Sequence, residues 1–141
     1  METKTTGVVI IKDGEVLLVE HLQGGNNING TYGLPAGRLE PNEEYIDAAI
    51  RELKEETGLV ARTDDLKLLP IEYHALVERK DGEEAMVMKV FLCLKYEGTL
   101  QNSSETAPKW LKLNEFESLK MNPNVANAVR QAIEFKDKMS L

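Results

Sequence analysis

The run from Pro41 to Gly58 is the strongest constraint on how this chain folds. Pro41 and Asn42 open a helix, and Gly58 ends it as a C′ glycine, so the helix is expected to run to about Thr57. Ile46, Ala49, Ile50 and Leu53 recur at helical spacing and form its buried stripe. On the same helix Glu52 and Glu56 are i and i+4, and Glu55 is i+3 from Glu52, so three carboxylates share one side beside the apolar stripe. Carboxylates this close raise one another's pKa unless a cation intervenes. Hard oxygen donors at short spacing suit Mg²⁺ or Mn²⁺, although a solvated acidic face is the commoner explanation of a Glu-rich helix taken alone. From Arg38 to Gly58 seven acidic residues stand against three basic ones, and the whole chain carries −7. A binder of nucleic-acid duplexes wants the opposite sign. An anionic partner of this segment needs a cation between the two.

The rest of the chain reads as strands and turns around that helix. Thr5–Lys12 and Glu15–Glu20 are apolar and β-branched and flank Asp13-Gly14, which predicts a two-residue hairpin. Residues 21–31 form a polar, glycine-rich loop, and Tyr32–Ala36 a short extended piece, with Pro35 keeping Leu34 out of the helical region. Strands are predicted around Leu66–Arg79 and Ala85–Tyr96, split by a turn at Lys80-Asp81-Gly82-Glu83. A short strand follows at Lys109–Leu113, then a turn or two of helix at Glu115–Leu119 and a closing helix over Asn124–Lys138. No repeat or linker divides the 141 residues, so one domain over 1–141 is expected, of α/β or α+β layered class. Cys93 stands alone and excludes an internal disulfide or a Cys-based zinc cluster. With no signal peptide and no apolar run long enough to span a bilayer, the expectation is a cytoplasmic protein with no membrane contact.

Residues 37–59 fit G-x5-E-x7-R-E-U-x-E-E-x-G-U, with U apolar, at every specified position, a match expected by chance at well under about one in a million. This pattern resembles the Nudix box, and the chain is similar to Nudix hydrolases. The likeness extends more weakly to the opening hairpin, to Leu34-Pro35-Ala36-Gly37 and to Trp110–Phe116. Ala36 stands where many members have glycine.

The resemblance implies a Nudix-like α/β/α sandwich with a mixed β-sheet and a catalytic loop-helix-loop. It also implies Mg²⁺- or Mn²⁺-dependent hydrolysis of a diphosphate linkage in a nucleoside diphosphate joined to another group. Carried over by position, Glu52, Glu55 and Glu56 are the metal-binding acids, and Glu52 or Glu55 is a candidate base. Arg51 is the orienting cation, and Glu43 lies near the metal or pairs with that arginine. Gly37 lets the loop backbone approach the metal. Glu105, five residues before Trp110, is a further metal or base candidate, with an exposed loop glutamate as the equal alternative. Tyr73, Arg79 and Lys89 are candidate substrate contacts, as is His74. His21 and His74 have no second ligand at metal spacing, so a structural role is expected for each; Cys93 and Trp110 read as packing residues.

Nucleoside triphosphates, ADP-ribose, nucleotide sugars and dinucleoside polyphosphates all suit such a helix, and the small size of the chain favours a nucleoside triphosphate. The competing reading is a non-catalytic, nucleotide-sensing Nudix-like module. Such modules commonly lose box acids, and here every acid is present. Oligomeric state is left open, a homodimer being the commonest assembly.

Overall fold

A computed structural model describes residues 2–141. In chain order the strands are β1 (Thr3–Val9), β2 (Ile11–Lys12), β3 (Glu15–His21), β4 (Tyr32–Gly33), β5 (Ala36–Arg38), β6 (Leu66–Arg79), β7 (Gly82–Cys93) and β8 (Thr106–Lys112). Helix α1 (Tyr45–Thr57) lies between β5 and β6, and α2 (Val125–Lys138) ends the fold. One sheet has the order β5-β1-β7-β6; β1 and β7 run parallel and the other pairs antiparallel. In the second sheet β3 pairs with β2, β4 and β8, all antiparallel.

Strand alternation makes the layers. Neighbouring residues point to opposite faces, so Val8 and Leu17 enter a core beneath α1 while Val9 and Leu18 enter a second core beneath α2. The α1 core holds Ala49, Leu53, Leu59 and Phe91, and the α2 core holds Val125, Ala128, Val129 and Ala132. The expected layered class with a mixed sheet and two flanking helices is what the structure has.

Three expectations need correcting in detail. The first run does not pair with β3 along its length. The chain leaves the first sheet after Val9, and only Ile11–Lys12 joins β3 through the Asp13-Gly14 turn, where both residues have positive φ. Helix α1 begins at Tyr45 rather than at Pro41, because Asn42 takes a left-handed φ of 64° and the Glu40 N–H is bound by the Glu43 carboxylate, which makes residues 40–43 a turn. Its fully buried residues are Ala48, Ala49, Leu53 and Thr57, with Ile46 and Ile50 half-buried at the margin. Strand β8 is longer than expected and starts at Thr106, which brings the residue before it close to the sheet. No helix among the described residues is long and apolar enough to cross a membrane.

Leu53 anchors α1 to the sheet and is fully buried. Leu53→Ala is expected to cost about 2–5 kcal/mol in urea unfolding, as for buried leucines elsewhere. A loss below about 1 kcal/mol would show that α1 does not depend on that face.

Candidate active site

The centre of the site is the Arg51 side chain. Its Nε and Nη2 donate to the two oxygens of Glu43 at 2.9 and 2.8 Å, a bidentate pair. Its Nη1 donates to Glu52 Oε1 at 2.7 Å and lies 3.4 Å from Glu55, and Nη2 also donates to the Arg38 carbonyl at 3.0 Å. One guanidinium therefore fastens the β5 backbone, the turn at residues 40–43 and the helix to each other. Hydrogen bonds from Arg51 and from the Glu40 N–H hold the Glu43 carboxyl at a pKa of about 2, and the Glu43 contact in turn raises that of Arg51.

Gly37 sits against Glu52. A Cβ on Gly37 would lie 2.2 Å from the Glu52 carboxyl carbon, so any side chain there would displace the acid. Next to it the Ala36 N–H donates to Glu56 Oε1 at 2.6 Å, so the alanine serves through its backbone. Burial pushes the Glu56 carboxyl well above the ordinary carboxylate range. The Ala36 N–H opposes that shift, and the negative neighbours Glu52, Glu105 and Glu55 reinforce it. Burial also raises Glu52, against the pull of Arg51.

The way α1 ends brings Glu105 to these acids. The last carbonyls of a helix lack intrahelical donors. Here the Gly58 N–H serves Lys54, the Gln101 N–H serves Thr57, and the Thr106 hydroxyl serves Glu56 at 3.0 Å. Thr106 thus ties the helix end to β8, and its neighbour Glu105 lies near enough to add negative charge at Glu56. A Cβ on Gly25 would lie 3.2 Å from that of Glu105, so the glycine-rich loop passes directly over it.

Behind the acids lies a cavity of about 330 Å³ that Gly37 and Glu105 border. Tyr73 and Arg79 line it, and Arg79 is additionally paired with Asn27 and Glu84. Lys89 does not. It alternates with the lining residue Met88 and points to the other face of β7, where its ammonium lies 4.5 Å from the centre of the Tyr45 ring and 3.6 Å from Glu72. His74 is exposed and pairs with Glu2, while Cys93 is buried and Trp110 packs under α1. Among the lining residues, sequence reasoning missed Arg38, Asn122, Met86 and Met88, and it gave His21 only a structural role. No local signal marks Asn122, whose partner His21 lies 101 residues away.

The donor set fits a hard divalent cation. Glu52, Glu105 and Glu55 all add negative charge at the buried Glu56, which Arg51, already engaged by Glu43, does not cancel. The acids are not closed around one point. Among the described residues no three His, Cys, Asp or Glu side chains form a ready cage, and Glu52 is turned to Arg51.

A family model described as NUDIX domain matches residues 1–132. The chain is 34% identical over 110 residues to a MutT-like protein of Streptomyces ambofaciens, covering 77% of this chain and 62% of that protein. It is 32% identical over 98 residues to the 8-oxo-dGDP phosphatase NUDT18 of Mus musculus, covering 70% of this chain and 27% of that one. The chain therefore spans less than two thirds of the length of either relative. Its fold is similar to the crystal structure of a MutT NUDIX hydrolase from Burkholderia pseudomallei, with a TM-score of 0.78 at 23% identity, covering 93% of this chain and 98% of that chain.

The raised Glu56 pKa has a signed consequence for stability. Between the ordinary carboxyl pKa and the raised one, the folded state holds a proton that the unfolded state has lost, so metal-free protein loses stability as pH rises through that window. Glu56→Gln keeps an acceptor for the Ala36 N–H and removes the charge. With chelator present it is expected to match the wild type near pH 4 and to be more stable at pH 7.5, by about 0.3–1 kcal/mol in urea unfolding at low salt. A variant less stable at both pH values would show that the carboxylate charge itself supports the fold.

Proposed function

The chain belongs to the Nudix family, and on that premise we propose that it hydrolyses a diphosphate linkage in a nucleoside diphosphate joined to another group, a nucleoside triphosphate being the favoured substrate. The observation that carries this reading is the acid-lined edge of the 330 Å³ cavity: Glu52 lies against Gly37, Gly37 and Glu105 border the cavity, and Glu56 is buried where Glu52, Glu105 and Glu55 add negative charge. That volume lies at the small end of ligand pockets and suits a single nucleoside. The similarity to an 8-oxo-dGDP phosphatase supports a nucleotide derivative as substrate.

Bound Mg²⁺ or Mn²⁺ would neutralise phosphate oxygens and make water a better nucleophile. Glu52, Glu55 and Glu56 would hold it, with the Gly37 backbone alongside. Arg51 positions Glu52 through Nη1, and Glu43 positions Arg51 through its bidentate contact. The proton of the attacking water goes to a carboxylate at the rim of the cluster, for which Glu52, Glu55 and Glu105 are the candidates. Burial favours the protonated form of Glu52, which makes it a stronger base than an ordinary carboxylate once ionised. Arg79 lines the cavity with a positive charge suited to phosphate.

The test is Mg²⁺-dependent turnover of nucleoside triphosphates, ADP-ribose and nucleotide sugars, with products identified by mass. Glu52→Gln and Glu56→Gln are expected to lower kcat by orders of magnitude without loss of fold. Retention of more than about a tenth of wild-type activity, a loss under ~1.4 kcal/mol, would contradict the assigned roles. Glu105→Gln is expected to alter the pH–rate profile or the metal affinity; with neither changed, Glu105 is a surface residue.

A further inference from the structure

Thr6, in the middle of β1, is fully buried, and its hydroxyl has no hydrogen-bond partner among the described residues. A buried hydroxyl without a partner costs stability, whereas valine fills the same shape without that cost. The sheet shows which groups could receive this hydroxyl. Side chains alternate along a strand, so Thr6 shares the α1 face of β1 with Val8, while Thr5 on the other face lines the cavity. The neighbours of Thr6 across the sheet are Gly37 on β5 and Lys89 on β7.

Only one of these two sides offers an acceptor. Lys89 brings an ammonium, which only donates, and that ammonium lies by the Tyr45 ring and Glu72. Gly37 has no side chain, and the Glu52 carboxylate fills the space where one would be. A Cβ on Gly37 would lie 2.4 and 2.5 Å from the two Glu52 oxygens. Residues directly opposite on adjacent strands have Cβ atoms about 5 Å apart. Glu52 therefore stands beside Thr6 as a cross-strand partner would, although it comes from the helix. The buried face of α1 supplies no competitor: Ala48, Ala49 and Leu53 are apolar, and the Thr57 hydroxyl already donates to the Leu53 carbonyl at 2.6 Å. Glu52 is held by Arg51 through Oε1, and among the described residues no hydrogen bond reaches its Oε2.

A donor that lacks an acceptor thus lies next to an acid with an oxygen to spare. Resting on the reading of the acids as cation ligands, we propose that Thr6 is a positioning residue for Glu52, its hydroxyl donating to that carboxylate when Glu52 turns from Arg51 to hold the cation. The orphan hydroxyl is then a feature of the metal-free state that the loaded site removes. Partners of this kind orient a ligand and raise the affinity of a metal site.

Calorimetric titration with Mn²⁺, and urea unfolding in chelator, test this at pH 7.5 without turnover. Thr6→Val keeps the shape and removes the donor. It is expected to bind Mn²⁺ about tenfold more weakly than the wild type. In chelator its urea midpoint is expected to equal or exceed that of the wild type, because the lost hydroxyl had no partner there. Thr6→Ser restores the donor and is expected to bind Mn²⁺ within about threefold of the wild type. A merely structural threonine gives the opposite split, a lower midpoint in Thr6→Val with unchanged Mn²⁺ affinity. Should Thr6→Val fail to fold, Thr6→Ala against Thr6→Ser, two side chains that differ by the hydroxyl alone, reads the same ratio. An affinity in Thr6→Val within about threefold of the wild type, or equal weakening in Thr6→Val and Thr6→Ser, overturns the proposal while the cation reading stands. A lower midpoint of Thr6→Val in chelator overturns it too, since the hydroxyl would then have a partner in the metal-free fold. A wild type that binds no Mn²⁺ removes both.

Discussion

The Arg51 guanidinium is the contact on which the rest of the site depends. An exposed ion pair contributes little to stability, but this one is a fork that binds Glu43 with two parallel hydrogen bonds, Glu52 with a third and the Arg38 carbonyl with a fourth. Three successive segments are thereby held in one geometry: the end of β5, the turn at Asn42 and the second half of α1. Lysine, a point charge on a flexible stem, has no fork with which to do this. The Glu43 carboxylate completes the turn by accepting from the Glu40 N–H, so the same residue closes the loop and orients the arginine.

Around this clamp the site concentrates negative charge where folding alone would avoid it. A helix C-terminus favours cations, yet α1 ends with Glu55 and Glu56, and Lys54 is the basic residue of its last turn. Burial adds to the cost by taking the Glu56 carboxyl out of water beside Glu52, Glu55 and Glu105. Such violations of local rules mark functional sites. The sandwich tolerates them because its two cores lie elsewhere, under the apolar faces of α1 and α2.

Much of this was legible in the sequence because it is local. The αL glycine at Gly58, the Asp13-Gly14 turn and the side-by-side acids of α1 follow from spacing within a few residues. What sequence reasoning missed depends on non-local pairing. The departure of the chain from the first sheet after Val9 is decided by parallel pairing of β1 with β7, some eighty residues on. Lys89 and Met88 are adjacent, and which of them meets the cavity is a matter of strand parity that is set only when the sheet is covered. His21 has no partner at metal spacing, and its actual partner precedes α2.

The central claim is that one arginine and the burial of one helix end split the acids of α1 and its preceding turn into different electrostatic states. Site-resolved NMR titration of the glutamate side-chain carboxyls in metal-free protein tests it most directly. The account predicts that Glu43 titrates near 2 and that Glu56 titrates well above the ordinary carboxylate range. Glu43 and Glu56 titrating together within that ordinary range would contradict it.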